Sequence, residues 1–240
     1  MITLSLAPAS LPPGQRVYAV GDVHGCSDRL DALHRAIADD LAARPVAHPL
    51  VIHLGDYVDR GPDSAGVIEM LLQPFPQVGE GPGPLVVNLM GNHEEMMLTG
   101  LADGDLAVHW LANGGDASLE SWGVSLRTRA REWAAAIPPR HLEFMRGLPL
   151  MHAAGGYVFV HAGLRPNVAL ARQSRLDMLW IREPFLSFTG ELPGVVVHGH
   201  TPAVEPVVRP NRIGIDTGAF MGGPLTCLVL EEDRFGFISG

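Results

Sequence analysis

Five short polar blocks, each directly after an apolar run, carry the residue types of this chain that could do chemistry. The blocks lie at 21–25 (G-D-V-H-G), 55–61 (G-D-Y-V-D-R-G), 91–94 (G-N-H-E), 161–163 (H-A-G) and 199–201 (G-H-T). The preceding runs are typical of strands, so each block would place carboxylate, imidazole or amide groups at the carboxyl end of a strand. Oxygen and nitrogen donors gathered at one sheet edge, without thiolates, describe a site for two divalent metal ions. This pattern indicates a metal-dependent phosphoesterase.

The first block offers two ligands at a spacing of two residues. In an extended segment, Asp22 and His24 point to the same side and can bind one ion together. The alternative is that Gly21 and Gly25 form a turn in which Asp22 bonds its own backbone. The second block repeats the Gly–Asp pair after another apolar strand, which favours metal binding.

The second block contains the candidate for a ligand shared by both ions. Asp56 would bridge them, because two cations about 3.5–4 Å apart need a common anion between them. Asp59 and Arg60 follow in the same block. The alternatives are that Asp59 caps a helix near Ser64 and that Arg60 is a solvated surface charge.

Two neighbouring residues of the third block have different expected roles. The amide oxygen of Asn92 would bind the second ion, whereas His93 would point differently and reach the leaving-group oxygen. A histidine in that role needs a partner that fixes its tautomer, and Asp59 is a candidate. The alternative, compatible with the first, is a helix that begins here with Asn92 as its cap and Glu94 in its first turn.

The last two blocks each present a histidine after an apolar strand. An isolated histidine in that place is more often a hydrogen-bonded structural residue than a ligand. As the fifth and sixth members of an ordered series, His161 and His200 are predicted to bind metal. His198 is assigned to a supporting position, from which it would orient a ligand.

Arginines and tryptophans complete the candidates. Phosphoryl transfer needs guanidinium groups on the non-bridging oxygens of the phosphate; Arg60 and Arg182 are the first choices, and Arg165 comes after them. The tryptophans are predicted to be core residues. They are Trp110, Trp122, Trp133 and Trp180.

The first third of the chain alternates strands and helices that can position these blocks. Strands are predicted at 16–20, 50–54 and 85–90. A helix capped by Asp28 is predicted at 28–44, a second runs from Asp63 or Ser64 to residue 73, and a Pro/Gly-rich loop covers 74–84. This order predicts parallel βαβ units, in which ligands collect at the carboxyl ends of the strands.

The remainder of the chain changes from short helices back to strands. We interpret 94–147 as a helical insertion, with helices at 94–101, 106–112, 117–122, 130–136 and 140–146. Strands follow at 148–153, 157–161, 195–197, 204–209, 213–216, 225–230 and 235–238, and their close spacing predicts mainly antiparallel pairing. The predicted fold class is α/β (α+β), a β-sandwich of two mixed sheets flanked by helices. We expect one domain over 1–240 with a lead-in at 1–14.

The bulk composition bears on which partners the protein binds and on the cellular compartment in which it works. A formal net charge of −9 disfavours a nucleic-acid partner, because such binding requires clustered lysine and arginine. Two distant cysteines give no disulfide framework and suit a reducing cytoplasm. The amino-terminal residues lack the features of an export signal, and no apolar run has the length of a membrane span. We expect a cytoplasmic protein with no membrane partner.

Taken in order, the five blocks resemble the phosphoprotein phosphatase family of the calcineurin-like metallophosphoesterases, from residue 16 to about 230. Four further stretches are similar to its bacterial and bacteriophage, lambda phosphatase-like branch. They are H-W-L-A-N-G-G at 109–115, W-I-R-E at 180–183, H-T-P-A-V at 200–204 and I-D-T-G-A at 215–219. The combination is specific, whereas each single block is not.

The resemblance implies a fold, a pair of metal ions and a mechanism. One ion would be held by Asp22, His24 and Asp56, and the other by Asp56 with the remaining three ligands, Asn92, His161 and His200. Family members commonly use manganese, and some use iron and zinc. A water bridging the two ions would attack phosphorus directly. His93, paired with Asp59, would protonate the leaving alkoxide while Arg60 and Arg182 hold the phosphate.

These features predict a hydrolase that removes phosphate from serine and threonine of proteins. Its substrate would be a phosphorylated protein or a small phosphoester. The alternative enzyme is a diadenosine tetraphosphate (dinucleoside polyphosphate) hydrolase, which shares the scaffold but tends to lack an aspartate of the Asp59 type and to end the third block in Asp instead of Glu94. A catalytically silent metal-binding regulatory module is a third possibility, disfavoured because both His93 and Asp59 are present.

Overall fold

The computed structural model describes residues 2–76 and 83–240, and within them the chain forms two β-sheets with helices on their outer faces. In chain order the strands are β1 (Ser5–Leu6), β2 (Gln15–Val20), β3 (His48–His53), β4 (Leu85–Asn88), β5 (Met151–Ala154), β6 (Tyr157–Val160), β7 (Val195–His198), β8 (Val207–Val208), β9 (Arg212–Gly214), β10 (Thr226–Glu231) and β11 (Arg234–Ser239). The helices are α1 (Ser27–Ala43), α2 (Ser64–Leu72), α3 (Asn92–Ala102), α4 (Ala107–Trp110), α5 (Asp116–Ser121), α6 (Ala130–Ala136), α7 (Pro139–Arg146) and α8 (Arg175–Trp180). A kinked turn at Leu111–Gly115, in which Asn113 and Gly114 depart from helical backbone angles, joins α4 to α5.

Both sheets are mixed, and each contains three neighbouring parallel strands. The first has the order β1-β11-β10-β2-β3-β4, with β2, β3 and β4 parallel and the remaining pairs antiparallel. The second has the order β5-β6-β7-β9-β8, parallel from β6 through β9 and antiparallel at both ends. The polar blocks follow the parallel strands.

The core lies in layers, and β2 shows how the sequence builds them. Val17 and Ala19 point between the two sheets and pack with residues of the second sheet such as Phe159. Tyr18 and Val20, on the opposite face, pack with the helices of the first sheet. A strand buried on both faces needs a continuous apolar run, which explains why the runs before the polar blocks show no alternation.

The predicted fold class is confirmed, as are most elements within two residues of their predicted ends. The predicted cap of α1 is wrong, since Cys26 occupies the cap position and Asp28 lies in the first turn. Asp63 caps α2 by accepting a hydrogen bond from the N–H of Gly66 at 2.9 Å.

Pairing among the strands of the second half of the chain is mainly antiparallel, as predicted, and β7 is the exception. The strand β7 is parallel to both of its neighbours, because the long connection 161–194 lets the chain cross over before it re-enters the sheet. The predicted strand at 204–209 is reduced to β8, and β1 and α8 were not predicted. Of the predicted loop at 74–84, residues 77–82 lie outside the described residues. Among the described residues, none of the helices combines the length and the apolar composition of a membrane span.

Candidate active site

The predicted metal ligands meet where the parallel strands of the two sheets end. Loops after β2, β3 and β4 contribute one half of the site, and loops after β6 and β7 contribute the other. Each ligand side chain belongs to a residue that is at most 6% exposed. We call these residues the metal-ligand cluster: Asp22, His24, Asp56, Asn92, His161 and His200.

The backbone of the polar blocks is strained. The angle φ is positive at His24 (45°), Asp56 (53°), Asp59 (72°), Arg60 (69°) and His200 (64°). The left-handed region costs a residue that carries a Cβ about 1–2 kcal/mol. Strain of this kind gathers at functional sites, where the surrounding structure holds side chains in directions that a relaxed loop would not give.

Glycines let the loops approach the carboxylates closely. A Cβ placed on Gly199 would collide with Oδ1 of Asp22, and one on Gly91 would collide with Oδ1 of Asp56. These two positions therefore require glycine because a carboxylate occupies the space of the side chain.

Asp56 lies at the centre of the cluster. Its Oδ1 is 3.3 Å from Nε2 of His161, and its Oδ2 is 3.4 Å from Nε2 of His24. The two carboxylate oxygens therefore face imidazoles from different sheets, as expected of a ligand shared between two ions.

The second half of the cluster is centred on Asn92. Its Oδ1 lies 2.8 Å from Nε2 of His161 and 2.9 Å from Nδ1 of His200. The carboxylate of Asp22 accepts the backbone N–H of His200 through Oδ2 at 2.9 Å. These contacts join the loop after β7 to both the first sheet and α3.

The other ring nitrogens fix the tautomers of two imidazoles. Nδ1 of His24 lies 2.9 Å from the carbonyl oxygen of Val58, and Nδ1 of His161 lies 3.0 Å from that of Leu54. A carbonyl accepts, so each Nδ1 carries the proton and each Nε2 presents its lone pair to the site.

Burial keeps two imidazoles of the cluster in the neutral form that metal binding requires. Burial lowers the pKa of His24 and that of His200 to about 3, so both imidazoles are neutral near pH 7. Burial alone would raise the pKa of Asp56, but the surrounding imidazoles, His161 foremost, hold it below its ordinary value. Neutral imidazoles around an ionised carboxylate bind a cation without first losing protons.

The donor set fits two divalent ions. Two groups, His24–Asp56–His93 and Asp56–His161–His200, each bring their ligand atoms within 4.8 Å of one another. Oδ1 of Asp22 and Nε2 of His200 are buried and have no hydrogen-bond partner among the described residues. Buried acceptors without donors are costly unless a cation satisfies them, and oxygen with imidazole nitrogen suits hard-to-borderline metals.

His93 and Asp59 form a buried pair beside the cluster. Nδ1 of His93 lies 2.7 Å from Oδ2 of Asp59, and its Nε2 is 4.0 Å from Oδ2 of Asp56. Burial lowers the pKa of His93, but the charge of Asp56 and the hydrogen bond to Asp59 outweigh it and raise that pKa. Because Asp59 holds Nδ1, the other ring nitrogen of His93 faces the site.

The three predicted phosphate-binding arginines differ in placement. Nη1 of Arg60 is 3.0 Å from Nε2 of His24, and its guanidinium lies 4.7 Å from the centre of the Phe220 ring. Arg182 is exposed, and its Nη2 is 3.5 Å from the carbonyl oxygen of His200. Both arginines border the cluster.

The guanidinium of Arg165 is paired with a carboxylate that does not belong to the cluster. It forms a two-bond pair with Asp177, at 2.9 and 2.5 Å. This bidentate pair uses Nε and Nη2, one of the two forked faces of the guanidinium. Among the described residues, Arg165 makes no hydrogen bond or ion pair with the cluster.

Glu94 has a role that the sequence did not reveal. Its carboxylate accepts the backbone N–H groups of Asp56 (2.9 Å), Tyr57 (2.7 Å), Val58 (3.2 Å) and Gly91 (2.9 Å). Gly91 is thus the cap of α3, and Glu94 ties the start of this helix to the loop that carries Asp56. Burial, together with the charge of Asp56, raises the pKa of Glu94 to about 7.

Asp216 is a further buried carboxylate at the site. It follows β9, which is parallel to β7, so the rule that selected the other residues applies to it as well. Burial raises the pKa of Asp216 to about 6, and the charge of Asp56 acts in the same direction.

His198, which was predicted to orient a ligand, contacts the carbonyl oxygen of Gly199 at 3.0 Å, and its Nε2 has no hydrogen-bond partner in the described structure.

Comparison with known proteins agrees with this geometry. Residues 15–227 match the calcineurin-like phosphoesterase family. The chain is 31% identical over 219 residues to serine/threonine-protein phosphatase 1 of Salmonella typhimurium, covering 88% of this chain and 90% of that one. It is 24% identical over 242 residues to the asymmetrical bis(5'-nucleosyl)-tetraphosphatase of Oceanobacillus iheyensis, covering 92% and 90%.

Solved structures share the fold. The crystal structure of a provisionally assigned diadenosine tetraphosphatase superposes with a TM-score of 0.67 over 97% of this chain and 98% of that one, at 23% identity. Enzymes of the matched family depend on two metal ions, and two overlapping His/Asp groups are present here. The chain therefore belongs to the calcineurin-like phosphoesterase family and is a metallophosphoesterase, a hydrolase of phosphoester bonds.

Proposed function

We propose that this phosphoesterase removes phosphate from serine and threonine side chains of proteins. The observation that carries the proposal is the buried pair formed by His93 and Asp59, with Nδ1 and Oδ2 at 2.7 Å. The pair leaves Nε2 of His93 facing the cluster, where it can donate a proton to the leaving oxygen.

The chemistry of the leaving group connects this pair to the substrate. A serine or threonine alkoxide is strongly basic and leaves slowly unless it is protonated as the bond to phosphorus breaks. A nucleotide phosphate released from a polyphosphate is a weak base and needs no such help. A buried imidazole with its own orienting carboxylate therefore favours an alkyl monoester as substrate.

We propose the metal-ligand cluster as the holder of two divalent ions, manganese first, with iron and zinc as alternatives. Asp22, His24 and Asp56 would hold one ion, and Asp56 with Asn92, His161 and His200 would hold the other. When bound, such ions neutralise phosphate charge and lower the pKa of a coordinated water.

Arg60 and Arg182 are proposed to hold the non-bridging oxygens of the phosphate. Both border the cluster, and guanidinium groups match these oxygens in charge and in geometry. Arg165 is left out of this role because Asp177 engages it. We further propose a cytoplasmic location, since Cys26 and Cys227 are both buried free thiols.

A dinucleoside polyphosphate hydrolase is the second candidate. Several relatives that cover about nine tenths of this chain are named bis(5'-nucleosyl)-tetraphosphatases. Against it stands the intact proton-donating pair, which that reaction does not need.

The two candidates are separated by a direct competition of substrates. With manganese present and equal enzyme, kcat/KM is measured for a phosphoserine peptide and for diadenosine tetraphosphate. We expect the peptide to be preferred. Preferential cleavage of the dinucleotide would overturn the proposal. If the enzyme cleaves neither substrate, both candidates are ruled out.

A further inference from the structure

The carboxylate of Asp59 receives three side-chain donors. Besides His93, the indole Nε1 of Trp110 donates to both oxygens, at 2.8 Å to Oδ1 and 3.0 Å to Oδ2, and the hydroxyl of Ser118 donates to Oδ1 at 2.6 Å. Asp59, Trp110 and Ser118 are each fully buried. A carboxylate with both oxygens engaged from different directions cannot rotate, so its orientation toward His93 is set by its other two partners.

A second serine extends the network to the backbone. The N–H of Asp59 lies 2.8 Å from Oγ of Ser118 and 3.0 Å from Oγ of Ser64, and the two hydroxyls are 2.9 Å apart. Because the one hydroxyl proton of Ser118 goes to Asp59, Ser64 must donate to Ser118. Ser118 thus contacts both the main chain and the carboxylate of Asp59.

Trp110 and Ser118 both come from the helical region between β4 and β5. Trp110 ends α4 and Ser118 lies in α5, on either side of the kinked turn Leu111–Gly115. In this turn Gly114 has φ 95°, and its carbonyl oxygen accepts the N–H of Arg60 at 3.1 Å.

The close packing of the turn fixes the indole. A Cβ on Gly115 would lie 2.6 Å from Nε1 of Trp110, and one on Gly114 would lie 2.9 Å from the backbone nitrogen of Arg60. The N-G-G sequence at 113–115 therefore lets the turn pack directly on the indole and on the block that carries Asp59 and Arg60.

We propose that Trp110 and Ser118 are positioning residues for proton donation to the leaving group. They hold the carboxylate of Asp59 so that it binds Nδ1 of His93 and keeps Nε2 of His93 directed at the cluster. The helical region would then serve the reaction by completing this network. The inference rests on the proposed function of His93 as proton donor.

A purely structural role would look different in a kinetic test. A buried tryptophan ordinarily finds an acceptor for its N–H, and its loss then lowers stability and all activities alike. A residue that acts through the proton donor affects poor leaving groups more than good ones, because a good leaving group departs without protonation.

The test uses Trp110→Phe, which keeps an aromatic ring but removes the N–H. In the metal-loaded enzyme we expect kcat for a phosphoserine peptide to fall about tenfold or more, and kcat for p-nitrophenyl phosphate to fall less than about threefold. KM and metal content should not change. Equal losses for the two esters, or no loss for either, would overturn the proposal.

Trp133→Phe is the matched control. Trp133 is buried in the same helical region, its ring centre lies 6.3 Å from that of Trp110, and its Nε1 donates to the carbonyl oxygen of Thr128 at 3.2 Å. Neither ester should be affected by this change. A leaving-group effect as large as that of Trp110→Phe would overturn the proposal, because Trp133 has no contact with Asp59 in the described structure.

Ser118→Ala keeps the inference testable should Trp110→Phe fail to fold. It removes one donor to Asp59 and should give the same selective loss, and in an Asp59→Asn background it should add no further selectivity. A full additional loss in that background would contradict action through Asp59. Wild-type enzyme that cleaves neither ester would instead contradict the proposed function, so the two failures are distinguishable.

A proton spectrum gives a readout independent of turnover. In metal-free protein, the Nδ1 proton of His93 should give a slowly exchanging downfield resonance, assigned by its absence in His93→Asn. The resonance should persist in Trp133→Phe and broaden or disappear in Trp110→Phe. An unchanged resonance in Trp110→Phe would argue that Asp59 keeps its orientation without the indole.

Discussion

A cluster of charged side chains lies at each end of β2, and the two clusters differ in how their charges are balanced. At the amino end, Arg16 pairs with Glu231 through two hydrogen bonds of 3.0 and 2.7 Å, and Arg44 pairs with Asp40 through bonds of 2.9 and 2.6 Å. Tyr18 joins them by donating to Asp40. We call this set the arginine–carboxylate cluster; its positive and negative charges are equal in number.

At the carboxyl end the balance is different. Five carboxylates are buried there within the described structure, and the arginines that border them, Arg60 and Arg182, are both exposed. The carboxylates belong to Asp22, Asp56, Asp59, Glu94 and Asp216. The arginine–carboxylate cluster has no unpartnered buried side-chain atom, whereas the metal-ligand cluster has two.

The comparison shows how a structural charge cluster differs from a candidate metal site. At the amino end of β2, arginine side chains of the chain itself balance the carboxylates, so the arginine–carboxylate cluster needs no added ion. At the other end the chain supplies acceptors and a strained backbone, and we expect bound ions to provide the balancing positive charge. Substitutions at the two ends should therefore separate stability from metal binding.

The largest effect is expected from Asp56→Asn. Removal of the shared carboxylate should reduce hydrolysis to background and lower the metal content below two ions, because both ions lose a common ligand. Elemental analysis and turnover of an aryl phosphate measure the two effects. Asp40→Asn, which removes a carboxylate from the arginine–carboxylate cluster, is the control and should keep both ions. Retention of two ions by Asp56→Asn would show that Asp56 is not shared.

His93→Asn should slow hydrolysis of a phosphoserine peptide by about 10²–10⁴-fold while leaving the metal content nearly intact. The reason is that His93 would act on the leaving oxygen and not on the ions. Elemental analysis is the deciding measurement, because His93 also groups with His24 and Asp56 in space. Loss of an ion from this variant would make His93 a ligand.

Much of the site could be predicted because one local rule applies to each residue. The six predicted ligands each follow an apolar strand, and parallel strands bring such positions to one edge. Asp216 follows the same rule after β9, but no role was predicted for it, because a single Asp in I-D-T-G-A has no neighbouring His or Asp to suggest a pair of ligands.

Other parts depend on contacts that no local pattern contains. The hydrogen bonds from Trp110 and Ser118 to Asp59 span 51 and 59 residues, so a tryptophan that sequence alone assigns to the core also serves the site. The parallel pairing of β7 depends on a long connection, so it is an exception that the close spacing of the strands did not predict. The engagement of Arg165 by Asp177 likewise follows from the fold of 165–177.

Metal binding should raise the stability of the folded protein through the metal-ligand cluster and not through the arginine–carboxylate cluster. At a manganese concentration 100 times the dissociation constant of each site, the free energy of unfolding should rise by about 2.7 kcal/mol for each ion bound. Urea unfolding with manganese and with a chelator measures this difference. Asp40→Asn should show the same increase, and Asp56→Asn should show little. An equal increase in Asp56→Asn would place the ions outside the metal-ligand cluster.

Arg16→Met should lower the free energy of unfolding by about 2 kcal/mol. Its side chain is 3% exposed, and its loss leaves Glu231 with Arg44 as its remaining charged partner. Urea unfolding at pH 7 measures the loss, and the metal content should stay at two ions. A fall in metal content would contradict the separation between the two ends of β2.

The smallest effect is a change in acid stability from Glu231→Gln. The hydrogen bond from Arg16 holds the pKa of Glu231 below its ordinary value of 4.5, so the folded state binds this proton less readily than the unfolded state. The stability that Glu231 contributes is therefore fully present above pH 4.5 and is lost as the pH falls through its folded pKa. Urea midpoints should place the wild type above Glu231→Gln at pH 7, and the gap should close below pH 4.5. Glu132→Gln, whose side chain is 55% exposed, should show no gap at either pH. A gap for Glu231→Gln that stayed constant on acidification would mean that the carboxylate contributes through packing and not through its charge.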